Sequence, residues 1–152
     1  MSEKVAIVGS RQGASYEDVL GFVTEMYARH PDTILVSGGA MGVDRIAETT
    51  WQGLGGEVLS YRPTKLADEK YVIEEWKLGG SEPSVRQMIE HPSFENFKSA
   101  ALYRDTLISE VADRIVGFMS AMGSPGAEFT LGWGEESQPK PRYRYYAQMP
   151  CD

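Results

Sequence analysis

Short apolar runs and longer amphipathic segments alternate along the first part of the chain. Residues 5–8 and 34–36 are continuous apolar runs, a pattern typical of strands buried on both faces of a parallel sheet. After each run, apolar residues recur at helical spacing, over 16–27 and 43–54. Residues 57–61 predict a third strand.

The alternation breaks after this third strand and later resumes. Residues 62–96 are polar and contain several Gly and Pro residues, which is long for a connection in a compact domain. We expect a partly ordered insert that forms part of a lid or a dimer surface, with short helices around 70–77 and 84–90. Beyond it, the pattern predicts a helix over 97–111, a strand over 114–119, a helix over 128–136 and a strand over 142–149.

Strands that alternate with helices predict an α/β fold with right-handed crossovers. The chain has 152 residues, close to the commonest domain size. We therefore expect a single Rossmann-like domain over residues 1–152, with a mostly parallel sheet flanked by helices and the long insert after the third strand.

Composition narrows the classes of partner. The net charge of −7 disfavours a non-specific nucleic-acid binder, so nucleic acid is an unlikely partner. The lone Cys151 allows no disulfide within the chain, and His30 and His91 share no ligand spacing, so no metal site and no cofactor is predicted. No signal-peptide pattern and no apolar run of roughly 18 residues occurs, so we expect a cytoplasmic protein without a membrane partner.

Three glycine-containing turns follow strands one, two and four. The carboxyl ends of parallel strands form the crevice where such sheets bind ligands, and helix N-termini there favour anions. An ordinary turn explains the first of them equally well, and helix capping explains Asp44 equally well. The predicted ligand-binding residues are Gly9, Ser10 and Arg11 in the first turn, Ser37, Gly38, Gly39, Ala40, Gly42 and Asp44 in the second, and Gly123, Ser124, Gly126 and Thr130 in the third.

The second turn, residues 37–44, carries the strongest signal. It places three Gly residues, a Ser and an Ala between a buried strand and a helix. A turn with so few side-chain atoms indicates that its backbone closely approaches another group, which we interpret as a phosphate or ribose. The turn is neither a Walker loop nor a Gly-x-Gly-x-x-Gly fingerprint, which excludes a standard ATPase or dehydrogenase.

Arg104 is a separate clue. It interrupts an apolar helical stripe formed by Phe97, Ala101, Ile108 and Val111. A charge is costly on a buried face unless it is paired. Either the guanidinium extends to solvent or it faces the ligand crevice, and the spacing leaves both alternatives open.

Three segments together resemble the SLOG superfamily, a Rossmann-like group that includes DprA, LOG and YspA-type proteins. They are Gly-Ser-Arg at residues 9–11, Ser-Gly-Gly-Ala-x-Gly-Val-Asp-x-x-Ala at 37–47 and Gly-x-Val at 56–58. The resemblance is clear over 5–61 and weaker over 98–131, and it is closest to the YspA-type branch. It implies a nucleotide-type ligand held by the glycine turns and makes a homodimer or higher homo-oligomer plausible.

The resemblance also suggests two alternative functions. LOG enzymes use an Arg and a Glu to cleave the N-glycosidic bond of nucleoside monophosphates, which makes Arg104 and Glu128 the candidate catalytic residues. Thr130 stands where that Glu belongs, and since Thr cannot replace a carboxylate in this reaction, whether the chain is an enzyme stays open. The DprA comparison implies binding of single-stranded DNA.

The main prediction is a protein that binds a nucleotide or a phosphorylated nucleotide derivative, as a sensor, a sequestering protein or a processing protein. The LOG-like hydrolase would need Asp44, Glu74 or Glu75 if Glu128 does not serve as the carboxylate. A further alternative is an interaction or structural protein whose glycine turns only satisfy the fold.

Overall fold

A computed structural model describes residues 2–79, 85–88 and 93–148 of the chain. The helices and strands of this part are β1 (Lys4–Gly9), α1 (Tyr16–Arg29), β2 (Ile34–Ser37), α2 (Val43–Leu54), β3 (Glu57–Lys65), β4 (Tyr71–Gly79), β5 (Val85–Met88), α3 (Phe97–Val111), β6 (Arg114–Met119), α4 (Pro125–Gly132) and β7 (Arg142–Tyr146). None of the helices in this part is both long enough and apolar enough to span a membrane.

The strands form one sheet in the order β5-β4-β3-β2-β1-β6-β7. Strands β3, β2, β1, β6 and β7 pair in parallel, and β4 and β5 extend the sheet in antiparallel fashion. Helices α1 and α2 cover one face, and α3 and α4 cover the other. The predicted α/β fold with a mostly parallel, helix-flanked sheet is confirmed.

Local signals in the sequence set the helix ends. The Ser15 side chain accepts a hydrogen bond from the backbone N–H of Asp18 and caps α1. Gly55 ends α2 in the left-handed conformation, with φ of 104°. Asn96 caps α3 by accepting a bond from the N–H of Ser99.

The helix expected around residues 70–77 is wrong, because this segment is strand β4. Strand β3 runs on to Lys65, and β4 pairs with it antiparallel from Tyr71 to Gly79. The polar residues that suggested a loop are paired across the two strands: the Tyr61 hydroxyl donates to Glu75 at 2.9 Å. Val72 and Ile73, two apolar residues of β4 that make no side-chain hydrogen bond of this kind, are buried.

Three other predicted boundaries also differ from the structure. The helix expected around 84–90 is wrong over Val85–Met88, which form β5; residues 84, 89 and 90 lie outside the described residues. Helix α4 begins at Pro125 rather than 128 and ends at Gly132, since proline is well suited to a first helical turn. Strand β7 ends at Tyr146 rather than 149, which lies outside the described residues.

Candidate functional site

A cleft of about 640 Å³ opens at the carboxyl ends of β1 and β6. The turn after β1 and the start of α2 line one side, α3 lines another, and the turn after β6 with the start of α4 completes it. The predicted ligand-binding residues that line it are Gly9, Ser10, Arg11, Ala40, Asp44, Arg104, Gly123, Ser124, Gly126 and Thr130.

Four residues of the second glycine turn do not line this cleft: Ser37, Gly38, Gly39 and Gly42. Ser37 is buried and its hydroxyl accepts a hydrogen bond from the N–H of Gly39 at 3.1 Å. The glycines face protein groups at short range. Around this turn, therefore, protein atoms occupy the space that the missing side chains leave.

Each glycine of the turn accommodates a different neighbour. A Cβ at Gly38 would lie 2.6 Å from Nη1 of Arg104, and one at Gly39 would lie 2.5 Å from Nε of Arg62. Gly42 has φ of 89°, and a Cβ there would lie 2.5 Å from the carbonyl oxygen of Ser10. The backbone N–H of Val43 donates to that same carbonyl, which binds the start of α2 to the first turn.

Arg104 lies at the floor of the cleft and is 6% exposed. Its Nη1 donates to the carbonyl of Gly38 at 2.6 Å and to that of Tyr61 at 3.4 Å, and its Nε donates to Asp105 at 2.8 Å. Within the described residues, its Nη2 has no hydrogen-bond partner. The sequence left open whether the Arg104 guanidinium extends to solvent or faces the crevice. In the structure it faces the crevice.

Two carboxyl groups flank this guanidinium. Burial raises the pKa of Asp44 to about 7, although Arg104 and the N–H of Ala40 oppose the shift. Burial likewise raises the pKa of Asp105 to about 6, against the opposing effects of Arg104 and Thr130. Both groups line the cleft, so its floor holds one fixed positive charge between two carboxyls that titrate near neutral pH.

The first and third turns are joined to each other. The Ser10 hydroxyl accepts a hydrogen bond from the N–H of Ser120 at 2.8 Å, which fixes the two turns side by side. Ser124 is the N-cap residue of α4, and its side chain makes no capping bond. A Cβ at Gly126 would meet nothing within 4 Å, and the Thr130 hydroxyl donates to the Gly126 carbonyl.

Glu128 is not part of the cleft lining. Its side chain is exposed, and Oε1 accepts a hydrogen bond from the Tyr146 hydroxyl of β7 at 2.7 Å. The structure therefore does not bring together the two residues predicted as a catalytic pair, Arg104 and Glu128. Thr130, which the resemblance places at the position of the LOG-type glutamate, lines the cleft.

Several cleft residues were not singled out from the sequence as ligand-binding. Phe97, Lys98 and Leu102 come from the first two turns of α3, and Phe129 comes from α4. Phe97 is 43% exposed although it falls on the apolar stripe of its helix. The sequence feature that could have identified them is the adjacent aromatic and basic pair, Phe97 and Lys98, at the start of a helix. Such a pair is common on protein surfaces, so it does not by itself indicate a binding site.

Behind Gly39 lies a second polar cluster, which the sequence did not reveal. Arg62 donates from Nη2 to the buried carboxylate of Glu48 at 2.5 Å and from Nε to the Ser60 hydroxyl at 2.9 Å. Its guanidinium lies 4.4 Å from the ring centre of Trp76. Two arginines from different elements therefore hold the second glycine turn, one on the cleft side and one on the side of β4.

No protein-family model and no curated protein matches this chain. Solved structures that share its fold include two DNA processing proteins. DNA processing protein A from Helicobacter pylori, described as binding single-stranded DNA in a unique mode, superposes with a TM-score of 0.63 and 18% identity over 99% of this chain and 67% of that one. DNA processing protein A (DprA) from Streptococcus pneumoniae superposes with a TM-score of 0.67 and 17% identity over 98% of this chain and 51% of that one.

At these identities the likeness establishes the fold alone, and it supports the SLOG or DprA-like fold that the glycine motifs implied. The closeness to YspA-type proteins stays a prediction. The expectation that nucleic acid is an unlikely partner is wrong, because a protein with this fold is described as binding single-stranded DNA. Net charge is a weak basis for excluding this class of partner, because it averages over the whole surface, whereas nucleic-acid binding depends on the local distribution of cations.

Proposed function

We propose that this chain binds single-stranded DNA along the cleft, with phosphates at Arg11 and Lys98 and bases against Phe97 and Phe129. The observation that carries the proposal is the pairing of free cations with accessible aromatic rings in one cleft. Arg11 and Lys98 are exposed, and within the described residues neither side chain has a hydrogen-bond or ion-pair partner.

The chemistry of the two groups suits a single strand. Phosphate contacts by Arg and Lys supply most of the non-specific affinity for nucleic acid, and aromatic rings stack on unpaired bases of any sequence. Phe97 makes an edge contact with Tyr71 at 5.9 Å, and Phe129 lies tilted against Trp133 at 5.6 Å. These contacts fix the ring orientations, which lowers the entropic cost of binding.

The two acidic groups of the floor do not conflict with this arrangement. Asp44 is buried and Asp105 is partly buried beside Arg104, whereas the phosphates would lie at the exposed cations of the rim. The fold likeness supports the same ligand class, since one of the two matched proteins is described as a binder of single-stranded DNA.

The test is the fluorescence anisotropy of a labelled thymidine oligonucleotide of about 15 nucleotides, a length within reach of a single-strand site. The wild type is compared with the double variant Arg11→Ala/Lys98→Ala at several salt concentrations. Each lost phosphate contact is expected to reduce the slope of log affinity against log salt by about 0.7. The matched control is Arg29→Ala/Lys77→Ala, which removes two exposed cations outside the cleft lining.

A salt slope that falls by more than one unit in the first variant and stays unchanged in the control supports the proposal. Equal slopes in all three proteins would place the DNA elsewhere on the surface. No binding by the wild type at low salt would refute the proposed function.

A free nucleotide is the second candidate, favoured by the unpartnered Nη2 of Arg104 on the cleft floor. The cleft volume also lies within the range of small-molecule sites. A thermal-shift series with mono-, di- and triphosphates and Arg104→Met tests it, because a ligand of the folded state raises the melting temperature. Stabilisation by one nucleotide class that the variant loses, together with competition against the oligonucleotide, would identify the nucleotide as the ligand of the floor.

A further inference from the structure

We propose that the floor of the cleft binds the Watson–Crick edge of one unpaired base, with Asp44 accepting a hydrogen bond from the base and Arg104 donating one to it. The inference rests on the proposed function and deepens it. It assigns a different part of the strand to each part of the cleft, the phosphates to the rim and one base edge to the floor.

The floor holds one unpaired acceptor and one unpaired donor. Asp44 and Arg104 are each 6% exposed. Oδ2 of Asp44 accepts a bond from the N–H of Ala40 at 3.4 Å, but within the described residues neither Oδ1 of Asp44 nor Nη2 of Arg104 has a hydrogen-bond partner. Neither atom is fully enclosed by protein, and both residues line the cleft. Because an unpartnered polar atom at a buried site costs free energy, this pair favours a ligand that satisfies both atoms.

The two side chains are neighbours that do not pair with each other. Oδ2 of Asp44 and Nη1 of Arg104 lie 3.0 Å and 2.6 Å from the position of a Cβ at Gly38. Among the described residues, the carboxylate that pairs with Arg104 is that of Asp105, through Nε. Asp44 and Nη2 of Arg104 are therefore left to a ligand that donates at one point and accepts at the next.

A phosphate does not have this pattern. Its ionised oxygens only accept hydrogen bonds, and a neighbouring carboxylate repels it. The positive charge of Arg104 is already offset by Asp105, and an ionised Asp44 adds a further negative charge beside it. The floor is therefore a poor site for another anion.

Within a DNA strand, the base is the part that both donates and accepts. Internal phosphates and deoxyribose rings carry no N–H or O–H group. The bases carry N–H donors beside carbonyl or ring-nitrogen acceptors, on an edge that is free only when the base is unpaired. In thymine these groups are N3–H and O4, which would face Asp44 and Arg104.

The walls above the floor have room for a flat ring. Phe97, Ala101 and Arg104 line the cleft along one face of α3, with an aromatic ring at the start, a methyl group in the middle and a charge at the floor. On the wall formed by α4, Gly126 and Ala127 line the cleft, and a Cβ at Gly126 would meet nothing within 4 Å. A base that enters edge first therefore passes small residues before it reaches the floor.

The test compares a labelled strand of about 15 thymidines with a strand of the same length made of N3-methylthymidine. Methylation removes the N3–H donor and keeps the phosphates and the ring face. The wild type is expected to bind the methylated strand about 5- to 150-fold more weakly, the range for a good pair of contacts to a base edge. The salt slope is expected to stay unchanged, because the phosphate contacts remain. A deoxyuridine strand keeps N3–H and O4, so it is the matched ligand control and is expected to bind as the thymidine strand does.

Asp44→Ala locates the contact on the protein. This variant is expected to bind both strands with the affinity that the wild type shows for the methylated strand, and that retained affinity also shows that the variant is folded. Asp32→Ala, at an exposed position between α1 and β2, is the matched control and is expected to discriminate as the wild type does.

The outcomes separate this inference from the proposed function. Equal binding of the two strands by the wild type would overturn the base-edge inference and leave the rim contacts in place. Full discrimination in Asp44→Ala would also overturn it, because the donor would then meet another group. If no strand binds at low salt, the proposed function itself fails.

Asp44→Asn decides the role of Asp44 if the alanine variant does not fold. A neutral amide accepts a weaker hydrogen bond than a carboxylate, so weaker discrimination than in the wild type supports the inference. Discrimination as strong as in the wild type would overturn it.

Discussion

Nη1 of Arg104 donates a hydrogen bond to the carbonyl oxygen of Gly38 at 2.6 Å, across 66 residues of sequence. The same guanidinium occupies the space that a Cβ at Gly38 would need. The glycine turn and the arginine of α3 are therefore one structural unit. This unit forms the floor of the cleft and places Arg104 between Asp44 and Asp105.

Replacement of Arg104 by Met is expected to destabilise the fold by about 3 to 5 kcal/mol, because it leaves the buried Asp44 and the partly buried Asp105 without their counter-charge. The loss of stability is expected to be larger at pH 8 than at pH 5, since both carboxyls are ionised at pH 8. Urea denaturation at the two pH values measures it. Arg29→Met is the control: Arg29 pairs with Glu25 at an exposed site, where such pairs contribute less than about 1 kcal/mol. Equal losses in both variants would contradict the role of Arg104 as a buried counter-charge.

Stability is expected to fall as the pH rises from about 4 to about 7. In this window the folded protein holds protons on Asp44 and Asp105, whose pKa values are raised to about 7 and about 6, whereas the unfolded chain has released them. The free energy of unfolding then decreases by about 1 kcal/mol per pH unit for each such group. The stabilisation is present in full below the unfolded-state pKa of 3.8 and is lost above the folded-state value.

The difference between wild type and Asp44→Asn isolates this effect from other titrating groups. The variant is expected to flatten the curve between pH 5 and 7, as measured by urea midpoints at half-unit steps. Asp32→Asn, at an exposed position between α1 and β2, is the matched control and is expected to follow the wild-type curve. A wild-type slope in Asp44→Asn would mean that Asp44 is ionised throughout this range.

Gly42→Ala is expected to destabilise the fold by about 3 kcal/mol or more, because the new Cβ meets backbone and the residue has positive φ. Gly53→Ala provides the comparison. Gly53 lies inside α2, where a Cβ meets nothing within 4 Å, so this change is expected to stabilise the protein by up to about 1 kcal/mol. Thermal unfolding of both variants measures the contrast, and similar melting temperatures would show that the turn tolerates a side chain.

The sequence predicted the fold well where local patterns and tertiary structure agree. The apolar runs that became β1, β2 and β6 are buried on both faces, so periodicity and packing point to the same element. Strand β4 was missed because several of its residues are polar and their side-chain partners lie on β3, 10 to 14 residues earlier in the sequence. Glu74 and Glu75 resemble a helix or loop until Thr64 and Tyr61 of β3 are placed opposite them.

The candidate site was predictable only in part, for a related reason. Glycines indicate a close approach, but they do not reveal which group approaches. At Gly38 and Gly39 that group is an arginine from α3 or from β3, and neither contact can be derived from spacing. Arg104 was detectable because a charge on an apolar stripe requires a partner, whereas Lys98 looked like an ordinary surface residue.

Glu128→Gln is expected to leave oligonucleotide and nucleotide binding unchanged, because its carboxylate contacts Tyr146 rather than the cleft. The stability change is expected to stay within about 0.5 kcal/mol, as at other exposed sites. Calorimetric titration of the variant and the wild type measures the affinities, and urea denaturation measures the stability. A loss of affinity in Glu128→Gln comparable to the loss in Arg104→Met would show that Glu128 belongs to the binding site.

The ion pair behind the glycine turn offers the last prediction. Glu48 has a 3% exposed side chain, and within the described residues its Oε1 has no hydrogen-bond partner, so it depends on Arg62. Arg62→Met is expected to lower the free energy of unfolding by about 3 to 5 kcal/mol, because it leaves this buried carboxylate without a counter-charge. The double variant Glu48→Met/Arg62→Met is expected to recover most of that loss, since apolar residues of similar volume often replace a buried pair without penalty.

A double-mutant cycle by urea denaturation measures the coupling between Glu48 and Arg62. Additive losses would show that each side chain is stabilised by its other neighbours, for Arg62 the Ser60 hydroxyl and the Trp76 ring. If the coupling is strong and the double variant still binds oligonucleotide as the wild type does, the pair supports the turn without touching the ligand. If stability recovers but binding does not, Arg62 holds Gly39 in the geometry that the cleft requires, because its Nε lies only 2.5 Å from the position of a Cβ at Gly39.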